Sequence, residues 1–359
     1  MVPFAALALG RDCYAMDIDP LARMLIRVQC GSHRIKEVEA AGLLALKRAH
    51  VLRKDTARLS RWFRDRFDDQ TKAFIRHWFP LHVRRGLLAL WAAILETEPR
   101  RVRLPLKVAF SRVIIAKTAG TSHAIDLPHT RPHWDDEKEV PDPLVMFPLR
   151  LRALTRRLAD RPKPLDGAAL SLRSGDVRKL PYADASVDLI LTSSPYANAI
   201  DYMRAHKFSL IWMGYSLSKL ARIRSQMIGA EYGRLSLSEP RLSWLDKRLP
   251  STPARVRRRI GVVRRFFHDM DTVVAGFKRV LKPGGACVLV LGESYVAGHV
   301  IDIPRLIAEI AETHGFVHVG TTYRTVNPLR RSLPFPRAGG KSGALAKRMK
   351  KEAIVTLVR

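Results

Sequence analysis

The segment that most constrains the fold is Asp188-Leu-Ile-Leu-Thr-Ser-Ser-Pro-Tyr196. Leu189, Ile190 and Leu191 make an apolar run of strand length, and it reads as a buried strand. The run stops abruptly in Ser193, Ser194, Pro195 and Tyr196. Packing alone has no use for two hydroxyls and a ring at that point. In an open α/β sheet, ligands bind just outside the carboxyl ends of the strands. The segment therefore predicts hydroxyls, carbonyls and an aromatic ring at the edge of a ligand crevice. Ser and Pro also serve ordinary strand-to-turn junctions, so the four residues take their meaning from what surrounds them.

The surroundings alternate between two textures. Asp12–Ile18 reads as a strand ending in Asp17-Ile-Asp19-Pro20, and Leu21–Cys30 as a helix. Residues 35–110 are rich in Ala, Leu and Arg at helical spacing. Trp62, Phe63, Phe67, Phe74, Trp78 and Phe79 recur about every three to four residues with cations between them. That pattern predicts helices with an aromatic core face and a basic outer face. Residues 117–148 read as a long ordered loop, and 149–165 as a basic helix. From residue 170 the texture becomes α/β. Strands are expected at Leu170–Arg173, Val187–Thr192, Ala286–Leu291, Val317–Val326 and Glu352–Val358. Helices are expected over 198–214, Arg258–Val280 and Ile303–Thr313. Lys282-Pro-Gly-Gly285 reads as a turn, since Pro sets φ and Gly permits φ > 0. The organisation expected is residues 1–34 opening an α/β core, a basic helical insert over 35–165, and the rest of the core over 166–359.

Charge narrows the partner. The formal net charge of the 359 residues is +30, a field that favours a polyanion. No apolar run reaches the roughly 18 residues of a membrane span. The opening residues lack a secretory signal pattern. Cys13, Cys30 and Cys287 are scattered and odd in number, as reduced thiols in a cytoplasmic protein are. The expectation is a cytoplasmic protein that meets nucleic acid and no membrane. His123, His129 and His133, with Asp126, Asp135 and Asp136, match no metal-ligand spacing, so no metal is expected.

Taken together, these motifs resemble the S-adenosylmethionine-dependent methyltransferases that modify exocyclic amino groups, mostly in nucleic acids. Ser193-Ser194-Pro195-Tyr196 resembles their Ser/Asp/Asn-Pro-Pro-Tyr signature, with Ser194 standing where most members carry the first proline. Thr192 to Tyr202 is similar to the corresponding stretch of bacterial and archaeal DNA N4-cytosine and N6-adenine methylases. The fold this implies is α/β: a class I methyltransferase (Rossmann-like), mostly parallel sheet, with a C-terminal antiparallel strand pair and a helical insert. The resemblance covers roughly residues 5–32 and 168–359.

It also implies roles. Ser193 and the Ser194 carbonyl would accept the target amino hydrogens, with Pro195 shaping the turn and Tyr196 stacking on the base. Asp17 would accept from the cofactor's ribose hydroxyls, with Asp19 beside it or capping the following helix. Asp176, after Gly175, would accept from the adenine amino group. The cofactor implied is S-adenosylmethionine, and the partner is DNA, with a restriction enzyme as an open question. Both cytosine N4 and adenine N6 stay open as targets. A duplex hides that amino group, so the base would have to be flipped out.

The acid-free basic segments predict phosphate contacts: Arg257 and Arg258 in one, Arg330, Arg331 and Lys341 in another. Arg204, on the helix after the catalytic turn, is a further expected contact. The family pattern opens with a strand and a Gly-rich turn; Met1–Gly10 reads instead as the helix after that turn. A sheet without that strand is expected to leave a gap beside its second strand and a poorly walled cofactor site. Two other functions are therefore carried: methyl transfer to RNA or a protein amide, and nucleic-acid binding without catalysis.

Overall fold

Aspartates punctuate the first half of the chain. In the computed structural model, which describes residues 2–116, 120–125, 127, 132–162, 165, 167–194, 202–230, 242–248, 257–292, 294–296, 299–325 and 351–359 (backbone alone for 246, 247, 257–259, 295, 296 and 299), two compact units are formed. One is Met1–Ser174 with Asp201–Ile223, and the other is Gly175–Ile200 with Arg224–Arg359.

The first unit runs α1 (Val2–Ala8), β1 (Cys13–Asp17), α2 (Pro20–Cys30), α3 (Ile35–Lys54), α4 (Thr56–Arg66), α5 (Asp69–Trp78), α6 (Leu81–Glu96), α7 (Arg103–Ile114), α8 (Pro143–Ala159) and β2 (Leu170–Ser174). Four of its helices start where a carboxylate accepts from exposed first-turn amides. Asp19 caps α2 with Pro20 in the first turn, Asp55 caps α4, Asp68 caps α5, and Asp142 caps α8 with Pro143 after it. The last of these corrects the sequence reading. The basic helix begins at Pro143 and ends at Ala159, not over 149–165, because the Asp142-Pro143 start signal outweighs Pro148, which the helix carries inside it.

The core of this unit is the packed interior of α3, α6, α7 and α8, including Ala45, Leu90, Ile94, Phe110, Phe147 and Leu154. Gly42 lets α3 approach α8 closely: a β-carbon there would collide with the Leu151 side chain. The aromatic face expected over 62–79 exists and has a specific cover. α9 (Tyr202–Leu210) supplies Phe208, against Phe74 and Trp78, and Trp212 just beyond it stands edge-on to Phe79 with ring centroids 5.2 Å apart. α10 (Leu217–Ser225) follows.

The second unit holds β3 (Val187–Ser193), α11 (Leu245–Arg248), α12 (Arg257–Val280), β4 (Leu281–Gly292), β5 (Ser294–Val296), β6 (His299–Ile301), α13 (Ile303–Thr313), β7 (Val317–Thr325) and β8 (Lys351–Val358). Its four-stranded sheet has the order β3-β4-β8-β7. β3 and β4 are parallel, while β8 is antiparallel to both β4 and β7. The antiparallel closing pair expected from the sequence is present. The turn expected at Lys282–Gly285 is absorbed into β4 as an irregularity. Residues 282–285 stand opposite Asp188 alone, Gly284 takes φ +75°, and Lys282 reaches back to Asp188 at 2.8 Å.

The protein is thus α/β with mixed sheets. One mostly parallel sheet is not what the described residues form: parallel pairing is confined to β1–β2 and β3–β4, and β5–β6 is a separate antiparallel pair. Among the described residues β1 has β2 as its one ladder neighbour, and β3 has β4. β3 also differs from the fully buried strand expected. Leu189 and Leu191 are 55% and 41% exposed on one face, while Ile190 packs on the core beneath. That core is built by α12 and α13 against Cys287, Leu289, Leu291, Val355 and Leu357.

Candidate active site

Two carboxylates at the end of β1 are held in opposite ways. Asp17 ends the strand, and one of its carboxylate oxygens accepts from the Asp19 amide at 2.8 Å. Arg23 donates to the main-chain carbonyls of Asp17 and Ile18, which pins the turn. The second Asp17 oxygen has no hydrogen-bond partner among the described residues. Burial pushes the Asp17 carboxyl above its ordinary range, opposed by the Asp19 amide.

Asp19 is fully engaged. It accepts from the Leu21 and Ala22 amides as the cap of α2, and the His206 ring donates Nδ1–H to its other oxygen at 2.5 Å. Burial would raise its pKa, but the His206 bond and charge outweigh that and leave it lowered. The capping role expected for Asp19 is therefore realised in its geometry. His206 was visible on its helix in the sequence, but nothing local ties it to an acid so far back in the chain.

Asp176 stands just after β2 in sequence and belongs to the second unit. It accepts from the Arg178 main-chain amide at 3.0 Å and from the Arg178 guanidinium on both oxygens. The same guanidinium donates to Asp269 of α12 at 2.5 Å and to the Gln226 carbonyl at 2.6 Å. Burial alone would raise the Asp176 carboxyl, and the Arg178 bonds more than reverse it. Burial leaves Asp269 raised despite the same cation. Arg178 and Asp269 were missed from sequence. The Asp-x-Arg spacing is the one local signal, since a carboxylate readily accepts from a residue two positions on.

The strand end behaves as two separate hydroxyls. Ser193 is exposed at the last position of β3. Ser194 is 6% exposed; its amide donates to the Val290 carbonyl and its hydroxyl turns toward Met270 Sδ at 3.3 Å. The two serines thus face opposite sides of the strand, as period 2 requires. Pro195 and Tyr196 lie outside the described residues.

Of the cations expected to touch phosphate, Arg204 is the one whose side chain is described. It is 7% exposed in α9 and has partners of its own. Phe208, four positions on along the same helix, is the residue that packs against Phe74 and Trp78. Arg257 and Arg258 open α12, with side chains outside the described residues, as are Arg330, Arg331 and Lys341 altogether. Among the described residues no group of three His, Cys, Asp or Glu could hold a metal; His123 instead stacks on Trp134 at 4.3 Å. No described helix is long and apolar enough to cross a membrane.

Two curated relatives, both named Type II methyltransferase M.AvaI, come from Nostoc sp. (strain PCC 7120 / SAG 25.82 / UTEX 2576) and Anabaena variabilis. Each is 26% identical to this chain over 147 residues, covering 36% of the chain and 30% of the relative. Over that stretch the chain is similar to these Type II methyltransferases. It spans under a third of the length of the curated relatives it matches. No protein-family model matches it. Among solved structures, it is similar to a Thermus thermophilus protein, TTHA0409, provisionally named a DNA modification methylase. The identity is 17% over 52% of each chain, at a TM-score of 0.28. A second structure of that protein, complexed with S-adenosyl-L-methionine, gives a TM-score of 0.27.

Proposed function

We propose that this chain transfers a methyl group from S-adenosylmethionine to an exocyclic amino group in DNA, at cytosine N4 or adenine N6. One observation carries the reading. A strand of the parallel pair β3–β4 ends in an exposed Ser193 followed by Ser194-Pro195-Tyr196, in a chain similar over 147 residues to Type II methyltransferases. The amino nitrogen of a base is a poor nucleophile because its lone pair is delocalised into the ring. Ser193 Oγ and the Ser194 carbonyl accept its hydrogens and draw it toward tetrahedral geometry. Tyr196 stacks on the flipped base. The cofactor supplies an electrophilic sulfonium methyl. Transfer to that nitrogen would leave the cofactor as its thioether, with the nitrogen's extra proton passing to water. The protein's contribution is positioning and oriented dipoles rather than a strong base.

The cofactor fits Asp17. A carboxylate with one oxygen held and one without a partner among the described residues can accept from ribose hydroxyls. Asp19 keeps that turn rigid through α2 and His206. Asp176 is assigned to the adenine amino group, for which Arg178 must shift toward Asp269. Because Asp176 is committed to Arg178 as it stands, a second reading is nucleic-acid binding without transfer.

The deciding experiment is calorimetric titration of S-adenosylmethionine into the chain, with Asp17→Asn as control, followed by methyl transfer to DNA with Ser193→Ala. Binding lost in D17N, and transfer lost in S193A with binding kept, support the proposal. Absence of cofactor binding beside intact, salt-sensitive DNA binding leaves the second reading.

A further inference from the structure

Three consecutive helices of the first unit turn cations into one cavity. α4 contributes Phe63 and Arg64, α5 contributes Asp69, Lys72 and Arg76, and α6 contributes Arg84 and Arg85. On α5 these lie at i, i+3 and i+7, a single helix face. The cavity is about 390 Å³, with Leu59, Leu81 and Leu88 completing its apolar wall.

Its charges are unbalanced. Asp69 is the one carboxylate in the lining, and Lys72 already holds it at 3.1 Å. Arg64 is paired outside the lining with Asp65. Arg76 lies over the Phe63 ring at 5.7 Å. Among the described residues Arg76, Arg84 and Arg85 have no carboxylate partner, and Arg84 Nε is buried without a hydrogen-bond acceptor. Burial, then the charges of Arg76 and Arg85, loosen the proton on Arg84. α6 also begins here with Pro80 at its cap position, which brings no side-chain oxygen to the first-turn amides. Like charges facing one another and a buried donor left empty both work against folding. They are useful only to an anion that arrives from outside. Paired guanidinium forks match phosphate oxygens, and the ring and leucines match the sugar or base beside one.

We propose that this cavity seats a backbone phosphate of a nucleic-acid strand, with Arg76, Arg84 and Arg85 as its donors. The choice of a strand over a free phosphate rests on the whole chain's charge of +30, which gathers polyanions far more strongly than single anions. The site is independent of methyl transfer.

The test is fluorescence anisotropy of a labelled oligonucleotide with the full chain across a salt series. The Arg76→Gln/Arg85→Gln variant is compared with Lys47→Gln/Arg48→Gln, which removes equal charge from exposed α3 positions. We expect R76Q/R85Q to bind about tenfold or more weaker at low salt. Its slope of log affinity against log salt should be shallower by about two, while K47Q/R48Q loses less. Arg84→Lys keeps the charge but not the fork, so it should lose several-fold affinity with the slope kept. That variant reads the site even if the double variant fails to fold. Equal losses in both double variants would mean diffuse attraction and overturn the proposal. So would an unchanged R84K, or deoxyadenosine monophosphate binding as tightly as the oligonucleotide.

Discussion

Asp17 and Asp19 are two positions apart and have opposite linkage to pH. Asp19 is held by two helix amides and His206, so its folded carboxyl ionises more readily than the unfolded one. Its stabilisation is therefore fully present above the ordinary carboxylate pKa, and it fades as pH falls through the lowered folded value. Asp17 is raised, chiefly by burial. Its ionisation is a penalty, fully present above the raised folded pKa and absent below the ordinary one. Asp17→Asn keeps an acceptor for the Asp19 amide and removes the penalty, so thermal melting at neutral pH should show a Tm equal to or above wild type. Calorimetry should show cofactor binding lost in the same variant. Asp19→Ala should do the reverse in melting, losing about 1–2 kcal/mol through the cap alone. A stabilised D19A would mean that the His206 pair is a net cost of burial.

Within the elements, the two faces of the four-stranded sheet differ sharply. Leu289 on β4 is fully buried in the α12–α13 core, and Leu189 on β3 is more than half exposed. Leu289→Ala should cost about 2–5 kcal/mol in denaturant unfolding, and Leu189→Ala less than about 1 kcal/mol. Similar costs would mean that the outer face is covered in solution. Gly42→Ala should cost about 1–3 kcal/mol, because α3 and α8 touch where the β-carbon would go.

Sequence alone led to most elements, because capping aspartates, helical spacing and apolar strand runs are local signals. Asp19-Pro20, the strand ending at Ser193 and the antiparallel β7–β8 pair were legible in that way. The exposure of Leu189 and Leu191 was not, since an apolar run says nothing about how many of its faces are covered. The burial of Arg204, the His206–Asp19 bond and the Arg178 clamp were equally hidden. Each depends on a partner brought from elsewhere in the chain, which no local pattern encodes. Pocket residues such as Arg84 and Arg85 were legible as charge but not as convergence, because three helix faces had to be packed first.

Across the whole molecule the dominant quantity is charge. Residues 328–351 contain eight Lys and Arg and no acid. The stretch leaves β7 at Thr325 and rejoins β8 at Lys351, two residues that pair in the ladder, with Arg324 bound to Glu352 at 2.6 Å beside them. The ladder pairing and the Arg324–Glu352 bond hold that end of the sheet. Replacing Arg330, Arg331 and Lys341 with Gln should therefore leave Tm within the error of wild type. If these side chains meet phosphates, the same variant should bind nucleic acid more weakly by a similar factor for every sequence tried, because phosphate contacts carry no sequence information. The slope of log affinity against log salt should be shallower by about one for each phosphate no longer neutralised. Cofactor affinity measured in parallel should change little with salt, since a small cofactor brings no condensed counterions to release. Weakening confined to one DNA sequence would instead place these cations in base recognition. A fall in Tm would show that the stretch packs on the sheet rather than facing a partner.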